Sequence, residues 1–236
     1  MAGADGARLL APVAVVVPAY QTGGTVGGVV TGVRAALPDV TVYVVDDGSK
    51  DDTGAAARAA GAIVLRHERN RGKGAALAAG VARAIADGAG TLATLDADGQ
   101  HPPQALPLLL EPLRRGEADL VLGARARTGS MPPSRRLTNW LSATVASRIA
   151  AQPVPDAQTG LRAFTRRLAE AVQPRIASYT GYDYEAAFLL AALRAGYGVR
   201  SVAIPTIYVG QPSHFRNLGD GWRVARVFVR YLLGAS

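Results

Sequence analysis

The 236-residue sequence contains no cysteine. That absence excludes a disulfide framework, cysteine-based zinc sites, iron–sulfur ligation and thiol catalysis at once, while leaving the compartment open. Lysine is almost as scarce, with Lys50 and Lys73 alone, so the cationic character rests on arginine. No run approaches the roughly 20 apolar residues that a membrane-spanning helix needs. Residues 1–11 carry no charged-then-apolar leader pattern, and Asp5 stands where the apolar run belongs. A cytoplasmic protein is expected, with any membrane contact peripheral.

What is present is a globular composition, 49% hydrophobic and 19% charged, on a chain long enough to bury a core without metal or disulfide staples. Lys and Arg number 26 against 18 Asp and Glu, a net charge of +8. The excess favours anionic partners: nucleic acid, phosphorylated ligands or a membrane surface.

Near-continuous β-branched runs at 13–17, 40–45, 62–65, 91–95 and 120–122 are of the kind buried on both faces of a parallel sheet. Segments of helical composition separate them, at 25–37, 51–60, 74–86 and 103–114. This alternation predicts an α/β fold with right-handed crossovers. After Gly123 the rhythm changes: residues 125–136 (RARTGSMPPSRR) read as a basic loop. Helices are expected at 137–150, 184–195 and 219–233, with short strands at 199–204 and 206–209. One domain over 1–236 is expected, divided into a nucleotide-binding half (13–123), an acceptor-side half (124–210) and a C-terminal amphipathic helix (211–236).

Open parallel sheets bind ligands beyond the carboxyl ends of their strands. Here those ends carry Pro18-Ala19-Tyr20, Asp46-Asp47-Gly48-Ser49, Asp96-Ala97-Asp98-Gly99-Gln100-His101 and Arg125. Asp-Gly pairs are also ordinary turn formers, but two acidic clusters on one edge go beyond turn chemistry. Alternate side chains of an extended segment point the same way, so Asp96 and Asp98 can meet one cation, with Gln100 as a third oxygen ligand. A hard divalent ion takes such ligands and fills its shell from water and a diphosphate. Other nucleotide signatures are missing. The glycines at 23, 24, 27 and 28 do not make G-x-G-x-x-G, and Gly72-Lys73-Gly74 lacks the Ser/Thr of a P-loop. The Gly-rich, basic signature of a sugar nucleotidylyltransferase is absent after the first strand.

Six segments in register resemble family 2 glycosyltransferases. They are Val15-Val16-Val17-Pro18-Ala19-Tyr20, Val44-Val45-Asp46-Asp47-Gly48-Ser49, Asn70-Arg71-Gly72-Lys73-Gly74, Leu95-Asp96-Ala97-Asp98-Gly99-Gln100-His101-Pro102, Gly123-Ala124-Arg125 and Asp156-Ala157-Gln158-Thr159-Gly160-Leu161-Arg162. Within that family the chain is most similar to the dolichol- and polyprenyl-phosphate mannosyl- and glucosyltransferases, over roughly 13–216. The resemblance implies a GT-A fold. It places Pro18, Ala19, Tyr20, Asp46, Asp47 and Ala97 around the nucleotide with Lys73 nearby, and Mg²⁺ or Mn²⁺ on Asp96, Asp98 and Gln100. It puts Arg125, Arg135 and Arg136 against phosphates, and Asp156 with Arg162 on the acceptor side. The family usually continues Pro-x-Tyr with Asn-Glu, where this chain has Gln21-Thr22-Gly23-Gly24, and commonly has Phe at the position of Leu161.

The implied donor is a nucleoside-diphosphate sugar, GDP-mannose or UDP-glucose, and the implied acceptor a polyprenyl phosphate. A divalent ion would stabilise the departing diphosphate. A lipid phosphate is already an anion near neutral pH and needs no strong general base; guanidinium groups of the 125–136 loop would attract it. In-line attack inverts the anomeric centre. A hydroxyl acceptor would instead call on Asp156 as base, and a non-catalytic nucleotide-sugar-binding module is a further reading. The acidic clusters at the ligand edge oppose nucleic acid. His67 and His101 are expected to be structural, and His214 has no derivable role. Arg223, Arg226 and Arg230 share one face of the last helix, which fits either a packed helix with a solvated basic edge or contact with an anionic membrane surface.

Overall fold

The computed structural model describes residues 12–125, 143–148, 154–205 and 219–232. In chain order the elements are β1 (Val13–Ala19), α1 (Val26–Ala36), β2 (Thr41–Asp46), α2 (Thr53–Ala59), β3 (Ile63–Arg66), α3 (Lys73–Ala86), β4 (Thr91–Thr94), α4 (Leu106–Arg114), β5 (Leu120–Arg125), β6 (Arg162–Thr165), α5 (Arg166–Val172), α6 (Asp183–Arg194), β7 (Val199–Ile204) and α7 (Gly219–Leu232). Helical turns also occupy 143–148. The strands form one seven-stranded sheet in the order β3-β2-β1-β4-β6-β5-β7.

The Val-rich run of β1 explains why it lies at the centre of the donor half. Val15, Val16 and Val17 are all fully buried, so both faces of the strand meet apolar layers. Alternation then sorts the side chains. Val16, with Tyr43 and Val45 of β2, packs under α3, α5, α6 and α7; Val15 and Val17, with Val42 and Val44, pack under α1, α2 and α4. Each helix matches its layer: α1 buries Val26, Val29, Val30 and Val33, the i, i+3, i+4, i+7 stripe of a one-sided helix. At about 1.5–3 kcal/mol for each large side chain removed from water, these two layers hold the sheet in place beneath its carboxyl edge.

The expected strands and helices of 13–123 all form, with ends that shift by at most three residues, and the fold is α/β as the alternation requires. Three features differ from expectation. β3 is an edge strand with Ile63 40% exposed, so it is not buried on both faces. A strand outside the expected set, β6, lies between β4 and β5 and runs antiparallel to both. β6 is only four residues long and begins with Arg162, so it carries no β-branched run to announce it. Its follower α5, capped by Thr165 accepting from the Leu168 N–H, is equally unannounced. The expected strand at 206–209 and the basic loop after Arg125 lie outside the described residues. No helix among the described residues is long and apolar enough to cross a membrane.

Candidate active site

β2 and β4 flank β1 and run parallel to it, so all three carboxyl ends share one edge. The strand order reverses direction between β1 and β4, the place where such sheets open a crevice. β1 leaves through buried Ala19 and then Tyr20, which is 36% exposed at the rim. Gln21 follows in the left-handed region at φ +55°. Its side-chain carbonyl accepts from the Lys50 and Asp51 N–H groups at 2.8 and 3.2 Å, and its own N–H donates to Ser49 Oγ at 3.0 Å. Thr22 N–H donates to Thr53 Oγ1 and Gly23 N–H to Asp51 Oδ2. The Gln21–Gly24 departure from the family pattern therefore stitches the exit of β1 to the exit of β2.

Asp46 and Asp47, expected at the base and ribose, are turned inward. Asp46 is fully buried, with Oδ1 accepting from Ser49 N–H at 2.9 Å and Oδ2 from Arg66 Nη1 at 3.0 Å. Asp47 is 3% exposed. Its carboxylate accepts from the Arg71 and Gly72 N–H groups at 2.9 and 2.8 Å and meets His67 Nδ1 at 2.6 Å. Both carboxylates are engaged within their own loops, each meeting two or three convergent protein partners. Asp47 acts on what comes next, the turn that launches α3. Gly72 takes φ +99° there, and a side chain at that position would run into the Thr180 carbonyl. That carbonyl accepts from Ala75 N–H, so one of the orphan donors of the α3 N-terminus is already satisfied by protein.

Lys73, the first residue of α3, is thereby aimed across the edge. Its Nζ lies 2.7 Å from Asp96 Oδ1 and 3.1 and 3.2 Å from the two oxygens of Glu185, with the Tyr182 ring 5.6 Å away. Burial by itself would lower the ammonium's pKa, but Asp96 and Glu185 outweigh it and hold the group above the usual lysine range. Asp96 lies one residue beyond β4, after Leu95, and rests on Gly160, where a Cβ would overlap its carboxylate. Ala97 is buried and its carbonyl accepts from Thr25 Oγ1 at 2.7 Å. Asp98 Oδ1 accepts from Gln100 N–H at 2.9 Å, a two-residue turn that keeps the D-x-D segment folded back on itself. Buried His101 stands 3.8 Å from Asp96 Oδ2.

Behind this edge, Arg162 is 2% exposed. Its guanidinium donates to the carbonyls of Thr159, Ala157 and Glu185 at 2.8, 2.9 and 2.6 Å. The guanidinium is thus turned into the fold, and the antiparallel strand that Arg162 begins places it between β4 and β5. Asp156, 6% exposed, lies in the same electrostatic neighbourhood with Asp96 and Glu185. The backbone of Arg125 ends β5 in register with Ile204; its side chain, and all of Arg135 and Arg136, lie outside the described residues. Among the described residues, no three His, Asp or Glu side chains gather as a self-sufficient metal cage.

The sequence that builds this edge matches the family model Glycosyl transferase family 2 over residues 14–173. The chain belongs to glycosyl transferase family 2. Among its relatives, the undecaprenyl-phosphate mannosyltransferase of Micrococcus luteus is 33% identical over 185 residues, covering 75% of this chain and 74% of that one. The polyprenol monophosphomannose synthase of Mycolicibacterium smegmatis is 32% identical over 200 residues, covering 80% and 75%. The fold is that of a GT-A glycosyltransferase. It is shared with glucosyl-3-phosphoglycerate synthase of Mycobacterium tuberculosis at a TM-score of 0.76 and 23% identity, over 98% of this chain and 84% of that structure.

Of this glycosyltransferase's site, the part invisible to motif reading is Glu185. It follows Asp183 in the first turn and opens onto the buried run Ala186, Ala187, Phe188, Leu189 and Leu190. The available signal is weak: an acid two residues inside the helix start, leading straight into an apolar run, is buried only where something pairs with it.

Proposed function

We propose that the chain transfers a hexose, with inversion, from a nucleoside-diphosphate sugar to a polyprenyl phosphate at the β1/β4 edge. The observation that carries this is Lys73 held on Asp96 beside Asp98, at the strand-order switch of a family 2 glycosyltransferase. The acceptor class is supported by relatives whose names specify undecaprenyl phosphate and polyprenol. In this reading residues 13–123 form the donor half, 124–210 the acceptor side and 211–236 the membrane-proximal helix.

The donor set at the end of β4 is oxygen-rich and acidic, which fits a hard divalent cation such as Mg²⁺ or Mn²⁺. Asp96 already holds Lys73, so Asp98, with Gln100, would carry the larger share of its protein ligands. When bound, such a cation neutralises charge on the departing diphosphate. Pro18, Ala19 and Tyr20 bound the nucleotide at the exit of β1, and Ala97 at the exit of β4. Lys73 adds a fixed positive charge at the diphosphate. Arg125, Arg135 and Arg136 receive phosphate oxygens, for which a guanidinium fork suits better than an ammonium. The acceptor phosphate attacks as an anion, so no side chain has to remove its proton.

Contact with the bilayer is assigned to α7. Val224, Val227 and Phe228 are buried against the fold, leaving Arg223, Arg226, Arg230 and Val229 exposed. The apolar stripe is therefore committed to the protein, and attraction to an anionic surface at the cytoplasmic face is electrostatic, at about 1 kcal/mol for each arginine near it.

The test is transfer from labelled UDP-glucose and GDP-mannose to undecaprenyl phosphate with Mn²⁺. Labelled lipid is expected with one donor, and Asp98→Ala is expected to lower kcat by about three orders of magnitude. Full activity of that variant would overturn the assignment. Transfer to a soluble hydroxyl acceptor without lipid would shift the acceptor reading to the one in which Asp156 serves as base.

A further inference from the structure

Lys73 is gripped from two sides, and only one of the two carboxylates belongs to the D-x-D segment. Asp96 Oδ1 is 2.7 Å from the ammonium. On the other side stands Glu185, in the first turn of α6, 112 positions away in sequence. It is 6% exposed. Oε2 accepts a hydrogen bond from Nζ at 3.2 Å, while Oε1, at 3.1 Å, makes the charge contact without a hydrogen bond. The backbone carbonyl of Glu185 is itself held by Arg162 Nη1. Thr180, just before α6, in turn closes on the first turn of α3 through Ala75 N–H. Each end of the Lys73–Glu185 pair is thus fixed by a second contact.

Burial pushes the Glu185 carboxyl above its ordinary range, with Lys73 and Arg162 opposing. A buried acid is expensive to keep, and an apolar residue would serve the packing of α6 at least as well. The placement makes sense if the negative charge has work to do on Lys73. A lysine ammonium has three donors on a flexible stem. Pulled by Asp96 alone, it would fold down onto the D-x-D segment; pulled by both, it stands between them at the edge.

We propose that Glu185 is a positioning residue for the donor diphosphate, acting through Lys73. It anchors the ammonium from the protein side, opposite Asp96, so that the lysine meets the anionic diphosphate already ordered. This rests on the donor-site reading above and adds to it a residue outside the motifs.

The test uses the full chain and calorimetric titration with UDP and with GDP, each in Mn²⁺. Glu185→Gln keeps the shape and removes the charge. It is expected to weaken nucleotide binding by about tenfold and raise the donor KM by a similar factor, with the acceptor KM unmoved. Lys73→Met is expected to weaken binding at least as much and to lower the unfolding midpoint, because it leaves Glu185 buried without its partner. In the double variant the added Glu185→Gln is expected to cause no further loss of affinity and to restore the midpoint. Should Glu185→Gln not fold, Glu185→Asp, which keeps the charge and shortens the reach, carries the comparison with a loss of the same sign. Wild-type affinity in the Glu185 variants, or losses that simply add in the double variant, would overturn the proposal. A wild-type chain that binds neither nucleotide would overturn the donor-site reading itself, and this inference with it.

Discussion

At Gly160 one methyl group decides whether Asp96 can stay on Lys73. A Cβ there overlaps the Asp96 carboxylate, and a shift of about 1 Å in a catalytic group can reduce rate a hundredfold. Gly160→Ala is therefore expected to lower kcat by at least about tenfold with an unchanged far-UV circular dichroism spectrum; wild-type kcat would show that the carboxylate tolerates displacement. Away from the site, Tyr43 donates to Asp87 Oδ2 at 2.7 Å. Burial first, then the hydrogen bond and charge of Asp87, raise its hydroxyl from 10.0 to about 12. A folded-state pKa above the unfolded one contributes stability that is complete below the unfolded value and lost as pH climbs through the folded value. Tyr43→Phe is thus expected to be less stable than wild type by about 1 kcal/mol at pH 8. The gap should close as pH rises from about 10, as read by urea unfolding at each pH; a constant gap would contradict the raised pKa.

At the scale of elements, the loop from β3 to α3 is the part most dependent on one side chain. Asp47 accepts from two backbone N–H groups and pairs with His67. Removing it leaves those donors to find water in a part-buried turn. Asp47→Ala is expected to destabilise the chain by about 2–3 kcal/mol and to weaken nucleotide binding, because Lys73 starts the helix this turn launches. A variant with intact stability would mean that the loop holds itself together. The last helix, α7, raises a different question. Its buried Val224, Val227 and Phe228 favour the packed reading of the helix, while its exposed arginines leave a basic face. Replacing Arg223, Arg226 and Arg230 together with Gln is expected to abolish co-sedimentation with anionic vesicles at low salt and to leave the unfolding midpoint nearly unchanged. Undiminished vesicle binding would move the membrane contact elsewhere.

Over the whole molecule, the excess of positive charge is not spread evenly through the functional part. The carboxyl edge of β1, β2 and β4 is acidic, with Asp46, Asp47, Asp96 and Asp98, and the fold brings Lys73 to Asp96 and Arg66 to Asp46 there. Much of this edge was legible in sequence, because strand runs, turn residues and D-x-D spacing are local. The run 13–17 had to be a buried strand, and a strand ending in Asp-Ala-Asp had to present carboxylates at its exit. The direction each carboxylate takes was not local. Asp46 and Asp47 carry the same motif value as Asp96 and Asp98, yet they turn inward, because Arg66, Ser49, Arg71 and Gly72 offer donors there. Arg162 carries the charge of a phosphate ligand and instead satisfies three carbonyls, because a short strand inserted antiparallel between β4 and β5 draws it inside. The sequence by itself determined the α/β alternation, the acidic edge and the family. Only the tertiary structure decided which of the charged groups remain at that edge and that Glu185 joins them. Backbone periodicity is set by neighbours a few residues away, whereas a buried charge is settled by whichever opposite charge the sheet order brings within reach.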